Sequence, residues 1–375
     1  MTARVLLAAR DPGAAGQLAP LAAALAAEPR VALTIAAGGA ARERLDAVAG
    51  HGVAFALAGG AAHVGPGEDT APLLAATRAL LDDVDPDVIV TGVSSLGVGI
   101  DEALHAVAGG RPTFAVQDYP GDANAIEGAY AGHYFVRDEA AARLTRARFG
   151  VGATPIGSLR HAAYAGLDVA ALRRRTRAAL GAEGRAVVGF FAQPAEIPGH
   201  EAAFDHLARA VAERATPPLV LLRPHPKSPA ARDRYARALA LAGAPSVDAA
   251  DGDVEPWLAA CDVVATGFSH CTMDHAFLSA FSPEPLGTTL FLLTTPDIRT
   301  FLRDTTGLAV PDGVEAGLGR VAERSEDVRP LLDALLADDA RRAYHAAARR
   351  LPHHADLPAV IARVLDAAGA RRAAR

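Results

Sequence analysis

The chain has 375 residues, 51% of them hydrophobic and 21% charged, with a formal net charge of −6. That length suits about two domains, and the acidic balance excludes nucleic-acid binding through a broad basic face. With only two cysteines, Cys261 and Cys271, a disulfide framework and a cysteine-rich zinc site are excluded too, and a cytoplasmic setting is expected.

The opening Met1-Thr2-Ala3-Arg4 leads straight into the apolar run Val5–Ala9, which reads as a first strand rather than a signal peptide. The loop Arg10–Gly16 follows, then an Ala/Leu-rich helix from Gln17 to Ala27. Val31–Ala36 and Val53–Leu57 read as strands, with helices at Ala41–Ala49 and Thr70–Leu81. Asp87–Thr91 is a buried strand ending in Gly92-Val93-Ser94-Ser95. Pro112–Val116 stops at Gln117-Asp118-Tyr119-Pro120, and Tyr134–Val136 stops at Arg137-Asp138-Glu139.

A similar series begins after Gly157. Strands are expected at Ala186–Phe191, Pro218–Leu222, Val263–Thr266 and Thr289–Leu293. Helices are expected at His200–Ala212, Val254–Ala260, Ser325–Ala337, Asp339–Arg349 and Pro358–Ala368, with Arg371–Arg375 as a frayed tail. Continuous apolar runs alternating with helices imply parallel sheets covered on both faces. The fold class is therefore α/β, with two Rossmann-like doubly wound domains facing a central cleft. Residues 1–160 form the first domain and 161–345 the second, and the helices of 346–375 return towards the first. No apolar run approaches the roughly 20 residues of a membrane helix.

The chemistry sits where strands end. Arg223, His225 and Lys227 alternate with Pro224 and Pro226 after a buried strand. Positions two apart in an extended turn project to one side, so three donors converge on one anion. Downstream, Thr266-Gly267-Phe268-Ser269-His270-Cys271-Thr272 enters a helix, and helix N-termini hold phosphate. Gly267 admits a ligand to the backbone; Ser269, His270 and Thr272 add side-chain contacts. In the first half, Asp11 and Asp118 are the candidate bases for an acceptor hydroxyl or amine. Gly13, Ser94, Ser95, Gln117 and Tyr119 lie on the same rim and would contact that acceptor. Gly13 and Gly16 match a dinucleotide fingerprint only loosely, and the acidic residue it needs about 20 positions on is absent, which rejects NAD. Asp251-Gly252-Asp253 has no strong strand before it, and His353-His354-Ala355-Asp356 falls between late helices. No metal and no cofactor are expected.

Taken in order, Asp11-Pro12-Gly13, Thr91-Gly92-Val93-Ser94-Ser95, Val116-Gln117-Asp118-Tyr119, Phe135-Val136-Arg137-Asp138-Glu139, Ile156-Gly157-Ser158, Arg223-Pro224-His225-Pro226 and Asp262-Val263-Val264-Ala265-Thr266-Gly267-Phe268-Ser269 make a pattern. It resembles the GT-B superfamily, and within it the bacterial branch of capsule-polysaccharide and CDP-glycerol-type transferases and UDP-GlcNAc 2-epimerases. The resemblance implies that His225 with Arg223, and Ser269 with Thr272, hold a donor phosphate, and that His225 belongs with Asp11 and Asp118 in the catalytic set. Where the epimerases carry an acidic pair, this chain reads His270-Cys271-Thr272. The first expectation is a metal-independent glycosyltransferase, or related group transferase, using a CMP-, CDP- or UDP-linked donor. A UDP-GlcNAc 2-epimerase-like enzyme and a non-catalytic nucleotide-binding protein are the alternatives. A homodimer is among the partners expected.

Overall fold

The computed structural model describes residues 2–38, 41–49, 52–54, 63–94, 97–226, 228–249 and 252–374. The chain divides into two compact units, Met1–Ala163 with Pro352–Arg375, and Tyr164–Leu351. Unit 1 runs β1 (Ala3–Ala9), α1 (Pro12–Ala27), β2 (Val31–Ala37), α2 (Arg42–Ala49), β3 (Gly52–Ala54), β4 (His63–Val64), α3 (Ala71–Val84), β5 (Val88–Gly92), β6 (Val98–Gly99), α4 (Ile100–Ala106), β7 (Thr113–Val116), β8 (His133–Val136), α5 (Glu139–Phe149), β9 (Gly152–Pro155) and α6 (Leu159–Ala162). Its sheet has the order β3-β2-β1-β5-β7-β8-β9, parallel throughout, while β4 and β6 pair apart from it.

Alternation along β1 explains the layering. Val5, Leu7 and Ala9 pack with Leu18 and Leu21 of α1. Leu6 and Ala8 point the other way, onto Leu81 of α3 and Ile100 and Leu104 of α4. A parallel sheet buried on both faces needs apolar residues at every position of its central strands, and β5 is buried along its whole length.

Unit 2 repeats the plan: α7 (Val169–Ala179), β10 (Val187–Phe191), α8 (His200–Ala212), β11 (Leu219–Arg223), α9 (Ala231–Ala242), β12 (Ser246–Asp248), α10 (Glu255–Ala260), β13 (Val263–Thr266), α11 (Cys271–Phe281), β14 (Thr288–Leu292), α12 (Pro296–Thr306), β15 (Arg320–Ala322), α13 (Ser325–Leu335) and α14 (Asp338–Ala348). Its sheet order is β12-β11-β10-β13-β14-β15. In both sheets the strand order reverses beside the first strand, at β1/β5 and at β10/β13, the doubly wound signature. A last helix, α15 (Leu357–Ala373), belongs to unit 1, where Val360, Val364 and Ala368 join the core against β1 and α1.

Two local expectations are corrected. Residues 12–16 are not loop but the first turns of α1. Proline is preformed for a first helical turn, and the small residues behind it let the helix sit tightly on the sheet: a Cβ on Gly92 would fall inside Ala14. Nor does the chain fray at Arg371. Helix α15 continues to Ala373, and Arg372 donates to the Asp87 carboxylate and to the Thr2 carbonyl. Of the strand expected at Val53–Leu57, residues 55–57 lie outside the described residues. Among the described residues, no helix is long and apolar enough to cross a membrane.

Candidate functional site

The carboxyl ends of the switch-point strands are where open α/β sheets bind ligands. In unit 1, β1 ends at Arg10 and Asp11, and β5 runs into Val93 and Ser94. Arg10 is 2% exposed; its Nη1 lies 3.4 Å from Asp11 Oδ1 and its Nη2 donates to the Gly97 carbonyl at 3.1 Å. Ser94 is buried and donates its hydroxyl to Asp101 Oδ2. Next to Asp101, Glu102 Oε2 accepts the Gly99 N–H at 2.7 Å. Burial, and then the neighbouring Glu102 charge, push the Asp101 carboxyl well above the usual carboxylate range. Burial likewise lifts Glu102 to about 7 and Asp122 to about 7, with Asp118 beside it adding like charge. The positive charge of Arg10 opposes all three shifts, so it is their common counter-ion. His105, whose Nε2 lies 3.0 Å from Thr91 Oγ1, is pushed down to about 4 by burial.

Asp118 sits on the same edge. Gln17 Nε2 donates to its Oδ1 at 3.1 Å, and a Cβ at Gly13 would lie 2.6 Å from its Oδ2. Gly13 is therefore the residue that lets the carboxylate approach α1. Gln117 is not brought to this set: its amide donates inward, to the Asp122 carbonyl at 2.8 Å and to Thr145 Oγ1 at 3.0 Å. Tyr119 is half-buried, and its carbonyl accepts the Asp122 N–H at 3.1 Å. Ser95 lies outside the described residues.

In unit 2, β10 leads to Gln193, whose Oε1 accepts the Phe268 N–H at 2.9 Å. A Cβ on Gly267 would collide with that amide and come 2.7 Å from Ile298 Cδ1. Only glycine fits there. Ser269 shapes the entry to α11: its carbonyl accepts from Thr272 Oγ1 at 2.9 Å and from the Thr272 N–H at 3.2 Å, and its Oγ accepts the Cys271 N–H at 3.4 Å. The Thr272 hydroxyl is thus buried and turned back on the turn itself. His270 is the N-cap residue, half-buried as a whole but with both ring nitrogens buried.

On β11, Arg223 is the last strand residue and not part of the turn; its Nη2 donates to the Gly252 carbonyl. Pro224 is buried and His225 half-buried. The His225 carbonyl accepts the Ser228 N–H at 2.8 Å, and Ser228 Oγ accepts the Ala195 N–H at 3.0 Å, which ties this turn to the end of β10. Lys227 lies outside the described residues. Arg223, His225, Gly267, Ser269 and the first turn of α11 therefore share the carboxyl edge of one sheet. Among the described residues, no three His, Cys, Asp or Glu side chains are placed to hold a metal.

Sequence reasoning missed Arg10, Gln17, Asp101, Glu102, Asp122 and Gln193. A signal for two of them was present. Gly99-Ile100-Asp101-Glu102 places adjacent acids in the first turn of a helix, a normal capping pattern, and nothing local marks them as buried.

No protein-family model matches the chain, and no curated protein matches it in sequence. Solved structures do match its fold. The UDP-GlcNAc 2-epimerase of Neisseria meningitidis, bound to UDP-GlcNAc, superposes with a TM-score of 0.70 at 12% identity, covering 97% of this chain and 100% of that one. The fold is GT-B-like. MnaA of S. aureus, in a co-structure with UDP, gives 0.69 at 16% identity over 96% of this chain and 95% of that one. HepE of Anabaena, in complex with UDP and glucose, gives 0.61 at 14% identity over 98% and 100%.

Proposed function

We propose that the protein is a nucleotide-sugar enzyme whose reaction is closer to UDP-sugar 2-epimerisation than to the sugar transfer first expected. Unit 2 holds the nucleotide. Its diphosphate lies against Arg223, His225, Ser269 and the opening turn of α11, where the positive end of the helix dipole favours anions. These groups stabilise negative charge as the diphosphate leaves the anomeric carbon. Unit 1 supplies the proton chemistry.

The observation that carries the reading is the set Asp101, Glu102 and Asp122, all held above the ordinary carboxylate range around one buried arginine. Transfer to an acceptor needs one base. Inverting a C–H centre needs one group to take the proton from one face and another to return a proton to the opposite face. Glu102 and Asp122, both lifted to about 7, suit the two roles. The fold shared with a UDP-GlcNAc 2-epimerase supports the same choice over the transferase. Asp118, seated beside Asp122, is assigned to the proton-handling set.

The test is incubation with UDP-GlcNAc in D2O, with no acceptor present, followed by NMR. The expected result is deuterium at C2 together with the manno epimer, free or UDP-linked. An inert UDP-GlcNAc that reacts only once a sugar or amine acceptor is added would return the transferase reading. Failure to bind UDP, CDP or CMP in any form would remove both.

A further inference from the structure

We propose that Gln17 is a positioning residue for Asp118, itself held by Ser158 and His161; this rests on the assignment of Asp118 to proton handling above. The other buried residues of α1 are Ala14, Ala15, Gly16, Leu18, Leu21, Ala22 and Leu25. Gln17 is the polar exception, 3% exposed. A buried amide is costly unless its hydrogen bonds are made, and this one makes them on both sides. Nε2 donates to Asp118 Oδ1 at 3.1 Å and lies 3.2 Å from Ser158 Oγ. Oε1 accepts the Arg160 N–H at 3.2 Å. Only one orientation of the amide satisfies this arrangement. Flipped, it would aim oxygen at the carboxylate and NH2 at a backbone N–H.

The support continues one step further in. Ser158 Oγ lies 2.7 Å from His161 Nδ1, and His161 is fully buried. With Nδ1 accepting, Ser158 donates to it and keeps a lone pair for Gln17. The chain His161–Ser158–Gln17–Asp118 thus joins α6, α1 and the end of β7, and Gly13 closes on the far side of the carboxylate. The neighbouring Asp122 carboxyl feels the charges of Asp118, of Arg148 from α5, and of Asp11 and Arg10 from the β1 end. Asp122 repels Asp118; a fixed N–H donor on a rigid helix holds the carboxylate in place against that repulsion.

Two variants, Gln17→Met and the near-isosteric Gln17→Glu, test this in the D2O assay with thermal unfolding measured alongside. Both are expected to lower Tm, since buried partners of the amide are left unpaired or like-charged, and to keep the Kd for UDP while kcat falls by about tenfold to hundredfold, the range for a misplaced reacting group. In an Asp118→Asn background the same changes are expected to cost nothing further, since residues acting as a unit are non-additive. Full kcat in Gln17→Met would overturn the proposal, as would losses that add to those of Asp118→Asn. A crystal structure of Gln17→Met is expected to show Asp118 turned away from Gly13; finding it unmoved also overturns the proposal. That structure decides the point even where Asp118→Asn keeps full activity, an outcome that removes Asp118 from the reaction instead.

Discussion

Asp87 and Asp262 do the same job in the two units. Each stands one residue before the strand beyond the switch point. Each accepts a backbone N–H of the first strand's start on its Oδ2 at 2.8 Å, from Arg4 and from Val187, and returns its own N–H to that residue's carbonyl at 2.8 Å. Asp87-Val88-Ile89-Val90-Thr91-Gly92-Val93-Ser94 and Asp262-Val263-Val264-Ala265-Thr266-Gly267-Phe268-Ser269 are one eight-residue pattern written twice.

Asp262→Ala should therefore destabilise unit 2. Its carboxylate lies 2.6 Å from Arg173 Nη2 and 3.0 Å from Arg177 Nη1, and removing one partner of a buried ion pair costs about 3–5 kcal/mol. A lowered urea midpoint for unit 2, with the same slope, is the expected observation; an unchanged midpoint would show the arginines to be satisfied by carbonyls alone.

Asp87 adds an acid limit to unit 1. Burial pushes its carboxyl up, but the hydrogen bonds from Arg372 and from the Arg4 N–H, with both charges, outweigh this and hold it below the usual range. A carboxyl lowered on folding contributes fully above its unfolded value of about 4 and loses that contribution as pH falls through the lower folded value. Chemical denaturation at stepped pH should show this loss below about pH 4, and Asp87→Asn should abolish that part of it.

Glu102 and Asp122 act with the opposite sign. Their folded values near 7 mean that unit 1 binds protons on folding between about pH 4 and 7. Stability should decline as pH rises through that window. Carboxyl carbon NMR should find two side chains titrating near neutrality, and Glu102→Gln should raise stability at pH 8 relative to pH 5. Carboxyls that all titrate near 4 would remove the proton store on which the proposed reaction depends.

Two glycine substitutions separate the halves of the chemistry. Gly13→Ala places a methyl against Asp118 in a helix that otherwise favours alanine by about 1 kcal/mol, so activity should fall while Tm holds or rises. Gly267→Ala drives into Gln193 and Ile298, and calorimetry should show weaker UDP binding. If each variant impaired the other's function instead, the division between the units would be wrong.

Much of this was legible before any coordinates. Central parallel strands are continuous apolar runs, so Val5–Ala9, Val88–Thr91 and Val263–Thr266 announced themselves, and the residues after them marked the edges. What was not legible depends on distance in sequence. Gln17 matters through Asp118, 101 positions away, and reads locally as an ordinary helix residue. Asp101 and Glu102 read as first-turn capping acids, and only tertiary burial turns them into proton holders. Arg223 looked like part of a turn, yet pairing with Phe191 in the sheet makes it strand.

The return of α15 to unit 1 has a consequence for how the protein is made. Val360, Val364 and Ala368 fill the core against β1 and α1, and Arg372 closes on Asp87 and Thr2. Unit 2 lies wholly within one stretch of chain; unit 1 does not. On the ribosome, where domains form as their residues emerge, the second unit can be complete while the first still waits, with part of one sheet face lacking its last helix, for a segment that begins only at Pro352 although its first segment ends at Ala163.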